Sequence, residues 1–486
     1  MDGLAPRFDV TGPVPLLDGL GHVHLIAIGG AGMSAVARLL LARGLEVSGS
    51  DRADGPALDG LRADGATVFV GHAAEHVEGA DTVVVSSAIP EDNVELVAAR
   101  AAGLTVLHRS QALAATMAGT RRVAVAGANG KTTTTSMLTV ALTHAGVDPS
   151  FAVGAEIGQL ATNAAIGRGE VFVVEADESD GSFLAYRPDV AIVTNVQPDH
   201  LDFYGDVAAV HQAYAAFAGS ISDGGLLVAC HDDPGSRELA EGVAGSGIRV
   251  VTYGSDVGAD LRIGASSSHG LGTQTTIHHL GTERSLELRV PGRHNVENAC
   301  AAVLAATVGL GVDLDDVLAG LASFTGARRR FEVRGEVRGV TVVDDYAHNA
   351  PKVAAVVGTA AEIVRRSGAG ALRVIFQPHL YSRTRDFADQ FAQALAPADD
   401  VVILDVYGAR EEPMEGVSSA LVAGPLTGLE HGPGLVEVGG PMEEAARRVA
   451  RRSSAGDLVL TVGAGDVTRL AAVVLQTLGE SGGAQT

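Results

Sequence analysis

The chain has 486 residues and a net charge of −23; 46% of it is hydrophobic, 4% is aromatic and tryptophan is absent. That length provides for about two to four domains with buried cores, while so acidic a balance excludes an extended nucleic-acid surface, which requires a basic footprint. No run approaches the roughly 18 uninterrupted apolar residues needed to span a bilayer, so no membrane insertion is expected.

The N-terminal stretch containing Asp2, Pro6 and Asp9 lacks a basic segment followed by an apolar core, so a cytoplasmic enzyme without a secretory signal is expected. Cys230 and Cys300 are too few for a disulfide framework and are expected to be buried free thiols. The Ala-, Val- and Gly-rich composition suits repeated βαβ units, and therefore an α/β fold.

In chain order, a first α/β block runs from about His22 to about Ala114, with strands Val23–Ile28, Leu45–Gly49 and Thr82–Ser86 and a helix Gly32–Arg43. Between strand and helix lies Ala27-Ile28-Gly29-Gly30-Ala31-Gly32-Met33-Ser34, and Asp51 ends the next strand. Gly29, Gly30 and Gly32 allow a diphosphate to approach a helix N-terminus, with Asp51 placed for a ribose. Ala27 replaces the first glycine of the dinucleotide fingerprint, so the pattern indicates a nucleotide diphosphate without specifying NAD.

The second block begins at Arg121. Arg122–Ala126 reads as a buried strand, Gly127-Ala128-Asn129-Gly130-Lys131-Thr132-Thr133 as a phosphate loop, and Thr132–His144 as a helix with Met137, Leu138 and Leu142 on one side. The loop is the short form G-x-x-G-K-T, since position 125 is valine. Lys131 is one of only two lysines, against 33 arginines. A lysine supplies a compact point charge for phosphate oxygens, and the Thr132 hydroxyl can ligate magnesium, so the chain is expected to use ATP and Mg2+.

Strand Val171–Glu175 leads into Ala176-Asp177-Glu178-Ser179-Asp180, where Glu175, with Asp177 second, is the expected metal-holding acid; Glu178 and Asp180 suit a solvated loop. Strand Val190–Asn195 leads into Asp199-His200-Leu201-Asp202, which brings His200 to the same sheet edge as a candidate ligand for a second ion. Residues 250–290, rich in Gly, Ser and Thr and ending in Leu286–Val290, suggest an antiparallel appendage. Gly292-Arg293-His294-Asn295-Val296-Glu297-Asn298 then opens a helix with amides suited to a base edge.

The third block starts near Gly326 with Arg328-Arg329-Arg330 and has strands Val340–Asp344, Leu372–Gln377, Asp400–Asp405 and Leu458–Val462. Asp345-Tyr346-Ala347-His348-Asn349 and Gln377-Pro378-His379-Leu380-Tyr381-Ser382-Arg383-Thr384 end two of them, a basic and aromatic set suited to an anionic substrate. The tail Gly479–Thr486 reads as disordered.

These motifs, in this order, resemble the Mur ligase family from His24 to about Asp466. The resemblance also rests on Ser86-Ser87-Ala88-Ile89, Asp405-Val406-Tyr407-Gly408, Glu411-Glu412-Pro413 and Gly463-Ala464-Gly465-Asp466. It implies a three-domain Mur ligase architecture: a Rossmann-like UDP-sugar domain (1–115), a P-loop-type central ATPase domain (116–325) and a Rossmann-like amino-acid domain (326–486). The implied activity is ATP-dependent ligation of L-alanine to UDP-N-acetylmuramate through an acyl phosphate, in peptidoglycan precursor synthesis, by a monomer or homodimer.

On the same resemblance, Gly127, Asn129, Gly130, Lys131, Thr132 and Thr133 hold the phosphates. Thr132, Glu175 and His200 hold magnesium; His294, Asn295, Asn298 and Asp345 take the rest of the nucleotide. Arg329, Arg330, His348, His379 and Arg383 serve the acyl phosphate and amino acid, and Gly29, Gly30, Gly32, Met33, Ser34, Asp51, His72 and Ser87 take the UDP-sugar.

The chain departs from the family pattern at Ala128 and Asn129, at Asn349 and Ala350, and at Leu380. Asparagine at 129 and 349 is more typical of branches adding other amino acids, so a different amino acid or peptide acceptor is the alternative. Against it, those branches use a carbamoylated lysine downstream of the Asp-His pair, and no lysine occurs between Lys131 and Lys352. Lys352 itself reads as a solvated residue at a helix start. An NAD-dependent oxidoreductase, read from Gly29–Gly32 and Asp51, leaves Lys131 and the acidic run unexplained.

Overall fold

Short apolar runs alternating with helical segments fold into three sheets. A computed structural model describes residues 10–480 apart from Leu280, Ala369 and Arg410; Asp2, Pro6, Asp9 and residues 481–486 lie outside the described residues. The first sheet contains β1 (Val23–Ile26), β2 (Val47–Asp51), β3 (Thr67–Val70), β4 (Thr82–Val85) and β5 (Thr105–His108), in the order β3-β2-β1-β4-β5 and all parallel. Helices α1 (Ala31–Ala42), α2 (Pro56–Ala63), α3 (Val94–Ala101) and α4 (Arg109–Thr116) accompany it. The order reverses between β1 and β4, and the β1–α1 turn carrying Gly29 and Gly30 lies at the carboxyl end of β1. In open α/β sheets that reversal is where ligands bind.

The second sheet has ten strands: β6 (Arg121–Ala126), β7 (Ser150–Ile157), β8 (Thr162–Ala165), β9 (Val171–Glu175), β10 (Val190–Val193), β11 (Leu226–Cys230), β12 (Arg249–Gly254), β13 (Leu261–His269), β14 (Gly272–His279) and β15 (Thr282–Leu288). Central β6 is parallel to both β9 and β10, so the loops after these three strands emerge at one edge. Residues 250–290, expected as an antiparallel appendage, are antiparallel only in part. Through β12 they pair parallel with β11 and continue the central sheet, with β14 and β15 antiparallel at its end.

Helix α5 (Lys131–His144) differs from its expected one-sided pattern. Thr132, Thr134, Thr135, Ser136 and Thr139 are buried along with Met137, Leu138 and Leu142. Threonine and serine on this helix satisfy their hydroxyls with carbonyls one turn back, as in Thr135 to Lys131 (2.8 Å) and Thr139 to Thr135 (2.8 Å), which lets a polar face go inside.

The third sheet contains β16 (Glu332–Val337), β17 (Val340–Asp345), β18 (Leu372–Phe376), β19 (Asp400–Ile403), β20 (Leu435–Val438) and β21 (Leu458–Val462), ordered β16-β17-β21-β18-β19-β20. It is parallel except for β16, which is antiparallel to β17. The expected tail start at Gly479 is helical instead, since the helix Leu470–Glu480 continues through it. The chain divides into two compact units. One holds the first two sheets; the other holds residues 326–486 with the short segments 268–272 and 290–292. Among the described residues no helix is long and apolar enough to cross a membrane, and Cys230 and Cys300 are buried free thiols.

Candidate active site

In the first unit, β6 delivers the chain into the phosphate loop through four buried residues, Val123–Ala126. Gly127 and Gly130 adopt φ of +136° and +89°, and both are obligatory on space as well. A Cβ on Gly127 would lie 1.9 Å from Thr194 Oγ1, and one on Gly130 would lie 2.5 Å from Asn298 Oδ1. The loop is tied to the strand end after β10. Asn129 N–H donates to Asn195 Oδ1 (2.9 Å), Asn195 Nδ2 donates to Asn129 O (3.0 Å), and Asn129 Nδ2 donates to Gln197 Oε1 (3.1 Å). Asparagine at 129 therefore has a local partner set of its own. Its Oδ1 is buried with no hydrogen-bond partner among the described residues.

Helix α5 opens directly behind Gly130, so its first-turn amides lack intrahelical acceptors and favour an anion. Lys131 Nζ donates to Gly127 O (2.7 Å) and to Glu178, whose carboxylate oxygens lie 2.8 and 2.7 Å away. Glu178 is buried rather than solvated, correcting the sequence expectation. Burial opposes the charge on Lys131, but Glu178 and Asp177 more than offset it and hold the ammonium protonated. Burial likewise pushes the Glu178 carboxyl up against the pull of Lys131.

The remaining acids are paired too. Asp177 and Asp180 face Arg109, at 2.9 and 3.9 Å, and Ser87 Oγ donates to Asp180 Oδ2 (2.6 Å). Asp180 is thus engaged, not solvated: burial would raise its carboxyl, but His108, Arg109, Ser182 and Ser87 hold it well below the usual range. Arg109, absent from the expected set, was indicated only by its place at the end of β5. Asp177, the second choice as a metal-holding acid, is occupied by Arg109.

Thr132 Oγ1 donates to Glu175 Oε1 (2.9 Å), while Glu175 Oε2 accepts from Gly154 N–H (2.6 Å). A hydroxyl and a carboxylate oxygen side by side at a helix N-terminus are hard donors that fit magnesium. His200 lies elsewhere along this edge, its Nε2 3.8 Å from Glu178 and 3.9 Å from Asp199. Among the described residues no group of three or more His, Cys, Asp and Glu side chains is arranged to hold a metal ion. Thr132 and Glu175, expected at one ion, are side by side, and His200, expected at a second ion, lies 3.8 Å from Glu178. Asn298 Nδ2 approaches Asn295 Oδ1 at 3.5 Å, and both amides are buried beside the loop, whereas His294 is exposed. Thr133 belongs to the opening turn of α5.

At the glycine turn of the first sheet, Asp51 Oδ2 accepts from Gly29 N–H (2.9 Å) and Gly30 is the N-cap of α1. Met33 packs in the core, and Ser34 is buried with its hydroxyl donated to Ala31 O (3.1 Å). The side chains of these two residues are therefore not available to a ligand, because α1 turns them into the sheet. Arg109 Nη1 lies 3.0 Å from the place a Gly32 side chain would occupy, so a cation flanks this turn. His72 Nδ1 is 2.9 Å from Ser50 Oγ and 3.1 Å from the buried carboxylate of Glu95, a residue the sequence reading passed over.

The second unit gathers the third set. Asn349 is the N-cap of the helix Ala350–Ser367, accepting from Lys352 N–H (3.0 Å), with Pro351 in the first turn. Tyr346, His348, His379 and Tyr407 form a run of ring contacts with successive centroids 5.1, 5.8 and 5.8 Å apart. Arg383 Nη1 is 3.5 Å from His379 Nδ1 and 3.4 Å from His348 O. Burial, with the charges of Lys352 and Arg383, pushes His348 well below the usual imidazole range, so the ring is neutral. Lys352 is half-buried rather than solvated.

Arg330 lies over the Tyr346 ring, 5.2 Å from its centroid. Arg329 also covers Tyr346 (4.8 Å), but its guanidinium donates to Gly463 O (2.6 Å), Gly465 O (3.1 Å) and Ala464 O (3.4 Å). Those carbonyls hold the guanidinium of Arg329 on the Gly463–Gly465 loop. Asp345 is likewise committed, its two oxygens accepting from Phe331 and Ala347 N–H at 2.7 Å each.

Three family models match the chain. Residues 22–121 match the Mur ligase family, catalytic domain; residues 125–306 the Mur ligase middle domain; and residues 329–465 the Mur ligase, glutamate ligase domain. A UDP-N-acetylmuramate–L-alanine ligase of Renibacterium salmoninarum is 51% identical, covering 95% of this chain and 97% of that protein. One of Kineococcus radiotolerans is 52% identical over 97% of this chain and all of its own length. The crystal structure of the UDP-N-acetylmuramate-alanine ligase MurC from Thermotoga maritima superposes with a TM-score of 0.80 at 29% identity, covering 95% of this chain and 99% of that one. The chain belongs to the Mur ligase family.

Proposed function

We propose that this protein joins L-alanine to UDP-N-acetylmuramate, with ATP hydrolysed to ADP and phosphate, in cytoplasmic peptidoglycan precursor synthesis. The observation that carries this is full-length similarity, at about half identity, to proteins named for that reaction. The site geometry is of a kind with it: one unit holds both a phosphate loop and a separate diphosphate-type turn.

The roles follow from the chemistry of each cluster. The first-turn amides of α5 and Lys131 bind the outer phosphates of ATP, and Asn295 and Asn298 flank the same loop. Thr132 and Glu175 would hold Mg2+, which when bound neutralises charge on the transferring phosphoryl group. Gly29, Gly30, Gly32, Asp51 and His72 take the UDP-sugar. Its lactate carboxylate attacks the γ-phosphate to give an acyl phosphate and ADP; the amine of L-alanine then displaces phosphate. We assign Arg330, His348, His379 and Arg383 of the second unit to the acyl phosphate and incoming amino acid. Neutral His348 can accept a proton there, a role that fits an attacking amine. The corresponding division of labour is 1–115 for the UDP-sugar, 116–325 for ATP and 326–486 for the amino acid.

The test is ADP release from ATP and UDP-N-acetylmuramate across a panel of amino acids. Release dependent on L-alanine is the expected result. Preference for another amino acid or a peptide, the alternative raised by Asn129 and Asn349, overturns the assignment of acceptor.

A further inference from the structure

Glu95 has no exposed surface, yet it is surrounded by donors from three separate segments. Its Oε2 accepts from Ser50 Oγ–H (2.5 Å) and lies 3.1 Å from His72 Nδ1 and 3.8 Å from His24 Nε2. Its Oε1 accepts from His76 Nδ1–H (2.8 Å) and from Ala73 N–H (3.3 Å). Burial alone would raise this carboxyl, but the nearby His24 ring and the bonds from Ser50 and His76 hold it down to about 2, so it is a carboxylate. A buried carboxylate is costly unless its oxygens are satisfied, and here the hydrogen bonds to it order Ser50 near the end of β2 and residues 72–76 in the segment that follows β3.

Those bonds determine the tautomer of His72. Ser50 gives its only hydroxyl proton to Glu95, so at 2.9 Å from His72 Nδ1 the Ser50 oxygen can only accept. Both neighbours of Nδ1 are then acceptors, so Nδ1 carries a proton. In that tautomer Nε2 is an acceptor. It has no protein partner among the described residues, and the side chain is 24% exposed. Ser50 is followed by Asp51, whose carboxylate holds Gly29 N–H, so the same strand end serves the glycine turn.

We propose that Glu95 is a positioning residue of the sugar-nucleotide site, fixing His72 so that Nε2 accepts a hydrogen bond from a hydroxyl or imide N–H of the bound nucleotide. The proposal rests on the UDP-sugar reading of the first sheet. Replacing Glu95 by glutamine makes a specific disturbance. Ala73 N–H is a fixed donor, so the glutamine oxygen must stay facing it and the NH2 is driven toward Ser50 and His72. The Ser50 hydroxyl then turns to donate to His72 Nδ1, the ring proton moves to Nε2, and the acceptor is lost.

The experiment is calorimetric titration of the full chain with UDP-N-acetylmuramate, using wild type, Glu95→Gln, His72→Ala and the double variant. Each single variant is expected to bind about tenfold more weakly, with the double no weaker than His72→Ala and the KM for ATP unchanged in all. Independent losses that add in the double variant would make Glu95 merely structural and overturn the proposal, as would wild-type affinity in either single variant. No binding by the wild type would instead overturn the UDP-sugar reading itself. If Glu95→Gln does not fold, nitrogen-15 histidine spectra of the wild type decide: an unprotonated Nε2 on His72 supports the proposal, and a protonated one overturns it.

Discussion

Two runs of like charge end in loops of this chain, and carbonyl dipoles have a larger share in satisfying the basic one. Glu175, Asp177, Glu178 and Asp180 meet cations and donors from other segments: Lys131 from α5, Arg109 from α4, and the hydroxyls of Thr132 and Ser87. Of the basic run Arg328–Arg330, Arg329 donates to three successive carbonyls with its Nε 3.6 Å from the buried carboxylate of Asp344, and Arg330 lies on the face of Tyr346. A carboxylate has few options when buried, so the acidic run recruits full opposite charges. A guanidinium has five donors in a planar fork and a stackable face, so it can be satisfied by dipoles. The acidic loop is consequently a charge-balanced network around the phosphate lysine, whereas Arg329 serves as a clamp on a neighbouring loop.

Substitutions at Lys131, Glu178 and Arg329 separate these two modes. The largest effect is expected for Lys131→Ala, which should lower ligation by at least about 10³-fold, because the point charge on the transferring group is lost. Binding of UDP-N-acetylmuramate, measured by calorimetry, should survive; its loss would mean that the glycine turn and the phosphate loop are not separate sites. Next, Glu178→Ala leaves Lys131 buried without its partner and should cost about 3–5 kcal/mol in denaturant unfolding. The pair replaced together, Lys131→Met with Glu178→Leu, should regain most of that loss; if it does not, the network is held by something other than charge balance.

For the dipole mode, Arg329→Ala removes charge-assisted bonds to three carbonyls and should cost about 2–3 kcal/mol in the unfolding of the second unit. Lysine at the same position cannot span Gly463, Ala464 and Gly465, so Arg329→Lys should recover little stability. Full recovery of stability with activity still lost would return Arg329 to the reaction itself. The smallest effect concerns pH. His348 titrates below its unfolded value, so the unfolded state takes up the proton first as pH falls, and stability declines by up to about 1.4 kcal/mol per pH unit below roughly 6.5. His348→Gln should flatten the fall in melting temperature between pH 7 and pH 5 relative to wild type. An unchanged slope would mean the ring is not held neutral.

Much of the fold was legible because apolar strands of parallel sheets are buried on both faces and read as unbroken runs. Val171–Glu175 and Leu458–Val462 were expected with the bounds observed. Residues 250–290 misled for the same physical reason in reverse. Their polar faces read as an antiparallel appendage, which holds for β14 and β15, whereas β12 extends the central sheet in parallel through backbone pairing that composition does not report. At the site, the phosphate loop and the Thr132–Glu175 pair stood out because a glycine pattern and a carboxylate at a strand end are local signals. Glu178 and Glu95 did not. A glutamate in an acidic loop and another in the first turn of a surface-like helix carry the same local signature as solvated residues.

By itself the sequence determined the alternation of strands and helices, the two glycine turns at helix starts and, through the scarcity of lysine, the singling out of Lys131. These follow from backbone conformation and from the short-range chemistry of neighbouring residues. Only the tertiary structure decided the partners: Glu178 for Lys131, Arg109 for Asp177, the Gly463–Gly465 carbonyls for Arg329, and Glu95 for His72. Each of these pairs joins residues between 23 and 136 positions apart. Pairing of that kind is set by where chain crossovers place strand ends, and by the requirement that every buried charge find a partner there.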